Sequence, residues 1–115
     1  MKQVVIFAFR GDPLCFVHVL LNALDLAEKG LGGRIVIEGE ATRLVPEMSQ
    51  PGHFLHALYG SVKEKGLIDA VCKACSTKMG VLDAVEREGL PIEAGMSGHP
   101  AMSRYEQEGC EIVVM

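Results

Sequence analysis

Aromatic residues are scarce in this chain. Tryptophan is absent and aromatic residues make up 5% of the sequence, which excludes a core built on stacked rings. Hydrophobic residues nevertheless amount to 49% of the 115 residues, so the sequence predicts an aliphatic core of Val, Leu, Ile, Ala and Met. A chain of this length is long enough for one domain with a well-buried core and too short for two. A single domain over residues 1–115 is therefore expected.

Positive charge and long apolar runs are also missing. The 11 Lys and Arg residues are outnumbered by 15 Asp and Glu and form no block or stripe, so binding to nucleic acid through its phosphates is not expected. The apolar run at residues 4–9 is shorter than a signal-peptide core and far below the roughly 20 residues that span a membrane. The sequence therefore predicts a cytoplasmic protein without a membrane partner.

Several well-known motifs are absent. The chain has neither GxGxxG nor GxxxxGK[ST], so nothing predicts a bound nucleotide, and it has no Gly-x-Ser-x-Gly elbow. We expect no resident cofactor or metal. The chemistry that is present lies in four cysteines, Cys15, Cys72, Cys75 and Cys110. Without an export signal, free, catalytic or metal-bound thiols are favoured over disulfides.

Apolar runs alternate with amphipathic segments along the chain. Strands are predicted at residues 4–9, 34–37, 67–72, 90–93 and 111–115, and helices at 13–29, 53–66, 77–88 and 100–107. This alternation is typical of βαβ units. The sequence therefore predicts an α/β fold, a three-layer α/β/α sandwich with a mainly parallel five-stranded sheet.

The first helix is apolar around most of its circumference. Asp12 followed by Pro13 is a strong helix start, because the Asp side chain accepts from free backbone N–H groups and Pro already has a helical φ. One side of this helix can pack on the sheet, and the rest needs a second partner. We therefore expect the chain to form a homo-oligomer.

A Cys-x-x-Cys motif lies where the third strand gives way to a helix. The predicted strand ends at Cys72, and Ser76 or Thr77 is expected to cap the next helix. Both Cys72 and Cys75 would then lie near the positive end of the helix dipole, which favours the reactive thiolate over the thiol. The sequence therefore predicts two reactive thiols, with Cys72 open to solvent.

The motif alone leaves other interpretations open. Cys72 and Cys75 would form a thioredoxin-like pair if the helix began at the first cysteine, whereas the expected cap after Cys75 fits that arrangement only loosely. They would also serve as simple buried side chains. A structural zinc would need two further ligands, for which His53, His56 and His99 are candidates.

Three loops are expected at the edge where the carboxyl ends of the strands meet, which is where ligands bind in such sheets. Accessory or substrate-binding roles are predicted for Arg10, Asp12, Cys15, Lys73, Gly95, Met96 and Ser97. Backbone N–H groups of residues 95–97 are candidates for holding an anion. Cys110 begins the last strand and is expected at the opposite edge.

The stretches VCKACSTKMGV at residues 71–81, IVIEGEA at 35–41 and EAGMS at 93–97 occur in a characteristic order. This order resembles the DsrE/DsrF-like family of small α/β proteins, which includes sulfur-relay subunits. The resemblance implies that Cys72 accepts sulfane sulfur as a persulfide, with Gly80 matching the family pattern. It also implies homo- or hetero-oligomers, often trimers or hexamers, and sulfur donor and acceptor proteins as partners.

The leading hypothesis is a sulfur relay in which Cys72 carries a persulfide and Cys75 discharges it by forming a disulfide. Arg10, Lys73 and Lys78 would give the anion a basic neighbourhood. One alternative is a thiol-disulfide redox or sensor protein that uses both cysteines. Another is a non-catalytic oligomeric subunit that binds a partner. The sequence is compatible with a sulfurtransferase enzyme and with a protein that only carries sulfur.

Overall fold

Five parallel strands form the centre of the structure, a computed structural model that describes residues 2–115. The strands are β1 (Val4–Ala8), β2 (Gly32–Ile37), β3 (Ile68–Cys72), β4 (Ile92–Glu93) and β5 (Glu111–Val114). They lie in the order β4-β3-β2-β1-β5, and every neighbouring pair is parallel. The predicted α/β sandwich with a parallel five-stranded sheet is confirmed.

Helices cover both faces of the sheet. They are α1 (Pro13–Glu28), α2 (Leu44–Met48), α3 (His56–Glu64), α4 (Lys73–Lys78), α5 (Leu82–Arg87) and α6 (Met102–Gln107), with a 3₁₀ turn at Gly39–Arg43. The larger buried cluster joins the sheet to α1, α2, α3 and α5 and is mainly aliphatic, as expected. A smaller cluster around Tyr105 of α6 occupies the other face, because side chains of a strand point alternately to the two sides.

Helix α1 begins as the sequence predicts. The Asp12 side chain accepts a hydrogen bond from the Leu14 N–H at 2.9 Å, and Pro13 occupies the first helical position. Only one stripe of the helix packs inside, however, and Leu14 and Leu21 are 70% and 48% exposed. Among residues 2–115, no helix combines the length and apolar character that a membrane span requires.

The segment after β3 differs from the prediction of one helix at residues 77–88. Two short helices replace it, because Gly80 adopts a φ of +73° that interrupts the helical backbone. The first of them, α4, begins directly after Cys72. Helix α6 begins at Met102, with Ala101 at its cap.

Tyr105 organises the smaller face of the sheet. Its ring is fully buried and packs edge-on against Phe7, with 5.6 Å between the ring centroids. The guanidinium groups of Arg34 and Arg104 lie 5.3 and 4.9 Å from its centroid. Its hydroxyl donates a hydrogen bond to Asp69 of β3. Burial and this hydrogen bond both raise the pKa of Tyr105.

We expect Tyr105→Phe to lower the free energy of unfolding by about 1–3 kcal/mol, because Asp69 loses a donor while the ring packing stays. Denaturant unfolding followed by circular dichroism measures the change. In an Asp69→Ala background the same substitution should cost clearly less, since the partner is already gone. An equal loss in both backgrounds would contradict the assigned role of the hydrogen bond.

Candidate functional site

The Cys72 sulfur caps the helix that follows it. Its backbone is extended, with φ −64° and ψ 121°, and its Sγ accepts a hydrogen bond from the Cys75 N–H at 3.3 Å. Helix α4 therefore begins at Lys73, because the sulfur takes the capping role that was predicted for Ser76 or Thr77. Thr77 instead donates from its hydroxyl to the Lys73 carbonyl within the helix.

This change brings the motif closer to a redox pair. Cys75 now lies inside a helix that starts at Cys72, the arrangement that the expected cap had disfavoured. All four cysteines are free thiols. Helix α4 has only six residues, so the environment of the two sulfurs is set by their individual contacts.

The two thiols differ in their access to solvent. Cys72 is 0% exposed, so the prediction that its sulfur is open to water is wrong. Cys75 is only partly buried. Burial raises the pKa of the Cys72 thiol to about 12, which keeps it protonated at neutral pH in the metal-free chain. Cys75 is therefore the thiol that a reagent from solution meets first.

A tight turn after β4 brings a histidine to the thiols. Met96 and His99 form an antiparallel bridge, and the two residues between them, Ser97 and Gly98, have φ values of +49° and +93°. Positive φ at both central positions is typical of a type I′ turn. The Gly98 carbonyl accepts a hydrogen bond from the Ala74 N–H at 2.9 Å, which fastens the turn to α4.

The His99 ring lies beside both sulfurs. Its Nδ1 is 3.0 Å from the Cys72 Sγ and 3.8 Å from the Cys75 Sγ. The shorter contact is a hydrogen bond from the Cys72 thiol in the ring tautomer that carries its proton on Nε2. His99 is thus placed to take the Cys72 proton. His53 and His56, the other predicted candidates, are not members of this cluster.

Glu38 completes the cluster and was missed at the level of sequence. It follows β2 directly and is buried, with 6% of its surface exposed. Its Oε1 lies 3.9 Å from the Nδ1 of His99. Burial raises the pKa of its carboxyl above the ordinary value. The signal that would have found it is its place at the carboxyl end of β2, next to β3 in the sheet.

Three of the other predicted site residues, Arg10, Asp12 and Cys15, lie outside the Cys72 cluster. Arg10 and Cys15 line a separate, largely apolar cavity of about 260 Å³ together with His18 and Met115. This cavity lies beside the first turns of α1, next to the end of β1 and to Met115, which follows β5. Asp12 is occupied as the cap of α1. Cys15 therefore lines this cavity and is not a member of the Cys72 cluster, and its accessory role stays a prediction.

Lys73, Gly95 and Met96 lie around the cluster and are all exposed. Lys73 opens α4, while Gly95 and Met96 lead into the turn that carries His99. Cys110 lies at the opposite edge, as predicted, where its sulfur accepts a hydrogen bond from Arg34 at 3.1 Å. The structure thus gathers two thiols, an imidazole and a carboxylate, a set suited to sulfur exchange, proton transfer or metal coordination.

The fold and the site define a small parallel α/β protein with a thiol pair at the carboxyl edge of its sheet. No family model matches the chain. It is 30% identical over 97 residues to the uncharacterized protein MJ0733 of Methanocaldococcus jannaschii, across 84% of this chain and 77% of that protein. The chain belongs to the same family as that archaeal protein.

The chain has two further similarities to known proteins. A 41-residue stretch, 36% of this chain, is 39% identical to an uncharacterized protein of Archaeoglobus fulgidus and covers 67% of it. The structure is similar to that of the conserved protein of unknown function BT1422 from Bacteroides thetaiotaomicron, with a TM-score of 0.71 and 16% identity over 98% of this chain and 95% of that one. At this identity the likeness shows the fold alone.

We expect an alkylating reagent to modify Cys75 and Cys15 well before Cys72 and Cys110 in the folded, reduced chain. Buried thiols react only after local opening, whereas partly exposed thiols react directly. Intact mass followed by peptide mapping gives the order. In denaturant all four should react at similar rates. Fast native labelling of Cys72 would contradict its buried position.

Proposed function

We propose that this chain accepts and passes on sulfane sulfur through the thiol pair Cys72 and Cys75, as the resemblance to DsrE/DsrF-like proteins implies. One observation carries the proposal: a partly exposed thiol and a buried thiol lie side by side, and a histidine nitrogen stands 3.0 Å from the buried one. The exposed thiol meets the donor, and the buried thiol stores the sulfur away from solvent.

The first step is sulfur transfer to the accessible thiol. The Cys75 thiolate attacks the outer sulfur of a donor persulfide. A new S–S bond forms as the donor's S–S bond breaks, and the donor thiolate leaves with the electron pair. The reaction changes no net oxidation state, and the donor thiolate takes up the proton that Cys75 released.

The second step moves the sulfur inward. His99 takes the proton of the Cys72 thiol, and the resulting thiolate attacks the outer sulfur of the Cys75 persulfide. Cys72 then carries the persulfide while Cys75 leaves as a thiolate. This order differs from the sequence hypothesis, in which Cys72 receives the sulfur and Cys75 discharges it through a disulfide. Here Cys75 receives the sulfur before Cys72 does, because Cys72 is buried.

A second candidate function is thiol-disulfide exchange, which the start of α4 at Cys72 favours. In this reaction the Cys72 thiolate attacks the Cys75 sulfur of the persulfide, forms a disulfide and expels hydrosulfide. The pair is oxidised by two electrons as the outer sulfur is reduced, and a dithiol reductant is needed to reopen the bond. The cytoplasm, where thiols are kept reduced, suits both reactions.

We also propose that the chain works as a homo-oligomer, of the trimeric or hexameric kind that the resemblance implies. The support is the apolar surface that α1 leaves uncovered at Leu14 and Leu21. Donor and acceptor proteins would then approach the partly exposed Cys75. The two sulfurs and His99 all come from one chain, so sulfur loading does not depend on assembly.

We expect the reduced, metal-free chain to gain the mass of one sulfur atom on incubation with cysteine persulfide. Cys75→Ser should lower the loading more than about ten-fold, because Cys72 then reacts only through local opening. Cys72→Ser should load at Cys75 but lose the sulfur faster to a thiol acceptor. Intact mass and peptide mapping follow each species.

Cys15→Ser is the matched control, since it removes a partly exposed thiol outside the cluster and should load as the unaltered chain does. Absence of added sulfur on the unaltered chain would contradict the proposed sulfur relay. Equal loading of a Cys72→Ser/Cys75→Ser double variant would contradict it as well. Loss of two hydrogens without retained sulfur would instead support disulfide exchange.

Leu14→Glu/Leu21→Glu should shift the oligomer towards monomer, because buried charge without a partner disfavours association. Light scattering after size-exclusion chromatography measures the mass of each form. Glu86→Gln, an exposed change on α5, serves as the control and should leave the mass of the assembly unaltered. A monomeric unaltered chain at all concentrations would refute self-association.

A further inference from the structure

Side chains that can bind a metal ion come together from three separate parts of the chain. Glu38 comes from the end of β2, Cys72 and Cys75 from the junction of β3 and α4, and His99 from the turn after β4. One ligand atom of each residue lies within 4.8 Å of the ligand atoms of the other three. Long-range convergence of this kind is not explained by the spacing of the two cysteines.

The distances are close to those of a coordinated metal. Tetrahedral sites with metal–ligand bonds of about 2.0–2.3 Å have ligand atoms about 3.3–3.8 Å apart. Here Nδ1 of His99 lies 3.0 Å from one sulfur, 3.8 Å from the other and 3.9 Å from the Glu38 carboxylate. With no pair beyond 4.8 Å, shifts of about 1 Å or less bring all four atoms onto a tetrahedron.

The charges in the cluster favour a cation at its centre. Glu38 is buried, with 6% of its surface exposed. Within residues 2–115, its Oε1 lies 3.9 Å from the Nδ1 of His99. A buried carboxylate is costly unless an opposite charge offsets its loss of water. A divalent cation would stabilise the carboxylate and both thiolates together.

The donor atoms indicate which cation. Magnesium and calcium prefer oxygen ligands throughout, whereas two thiolates with an imidazole and a carboxylate suit a borderline-soft ion of tetrahedral preference. Zinc combines these properties and accepts all three ligand types. The partly exposed Cys75 and His99 give the ion a path from solvent to the buried pair.

We propose that Glu38, Cys72, Cys75 and His99 form a tetrahedral zinc site. The site goes beyond sulfur transfer and does not rest on it, since it needs only the four side chains. Because a bound zinc ion takes both thiolates, zinc occupancy and sulfur loading exclude one another. Zinc would therefore protect the thiols from alkylation and from persulfide donors until an acceptor removed it.

The site is tested with cobalt(II), which reports tetrahedral thiolate coordination through its visible and near-ultraviolet absorption. Reduced, chelator-treated full-length chain should develop these bands with saturation at one cobalt per chain, and zinc should abolish them. Native mass spectrometry should then find one zinc per chain. His99→Ala and Glu38→Gln should each weaken binding more than the roughly 10–100-fold typical of losing an orienting group.

His18→Ala and Cys15→Ser are matched controls, since they remove an imidazole and a thiol on α1, outside the proposed site. Both variants should bind cobalt and zinc as the unaltered chain does. Absence of thiolate-cobalt bands at one equivalent would overturn the site, as would unaltered affinity in a His99→Ala variant that circular dichroism shows to be folded. The metal-free chain is assayed separately with cysteine persulfide, so failure of zinc binding and failure of sulfur loading are distinguishable.

Discussion

The parallel register between β2 and β3 is the constraint on which the site depends. Ile37 pairs with Val71, so the next residues along, Glu38 and Cys72, leave the sheet at the same edge. A slip of one residue would turn the side chains of one strand to the opposite face and separate the carboxylate from the thiol. Core packing on both faces of the sheet therefore sets the geometry of the polar cluster as well.

Much of the fold follows from local sequence signals. Apolar runs mark β1, β2, β3 and β5, although the two-residue β4, Ile92–Glu93, has no such run. Asp12 with Pro13 marks the start of α1, because caps and strand runs act over a few neighbouring residues. The start of α4 was misread for the same reason. Ser76 and Thr77 are the usual cap residues, whereas here the Cys72 sulfur accepts the Cys75 N–H at 3.3 Å, a role that no local preference indicates.

Local sequence signals predict neither the burial of Cys72 nor the presence of Glu38 in the cluster. Both result from contacts between segments far apart in the chain: the 3₁₀ turn after β2 packs against α4, and the turn carrying His99 is tied to α4 by the Gly98 carbonyl. A motif of two cysteines predicts that sulfur chemistry is present. It does not predict which sulfur faces solvent, because that depends on what covers the motif.

The turn at residues 96–99 links the two kinds of chemistry. It holds Ser97 at a φ of +49°, a conformation that non-glycine residues adopt at a cost, and it positions the one nitrogen that contacts both sulfurs. The two proposals, proton removal from Cys72 and coordination of a cation, both use that nitrogen in its observed place. The unusual backbone at Ser97 therefore accompanies the placement of the His99 ring. In either proposal, sulfane sulfur or a metal ion would meet the partly exposed Cys75 and this ring before the buried sulfur.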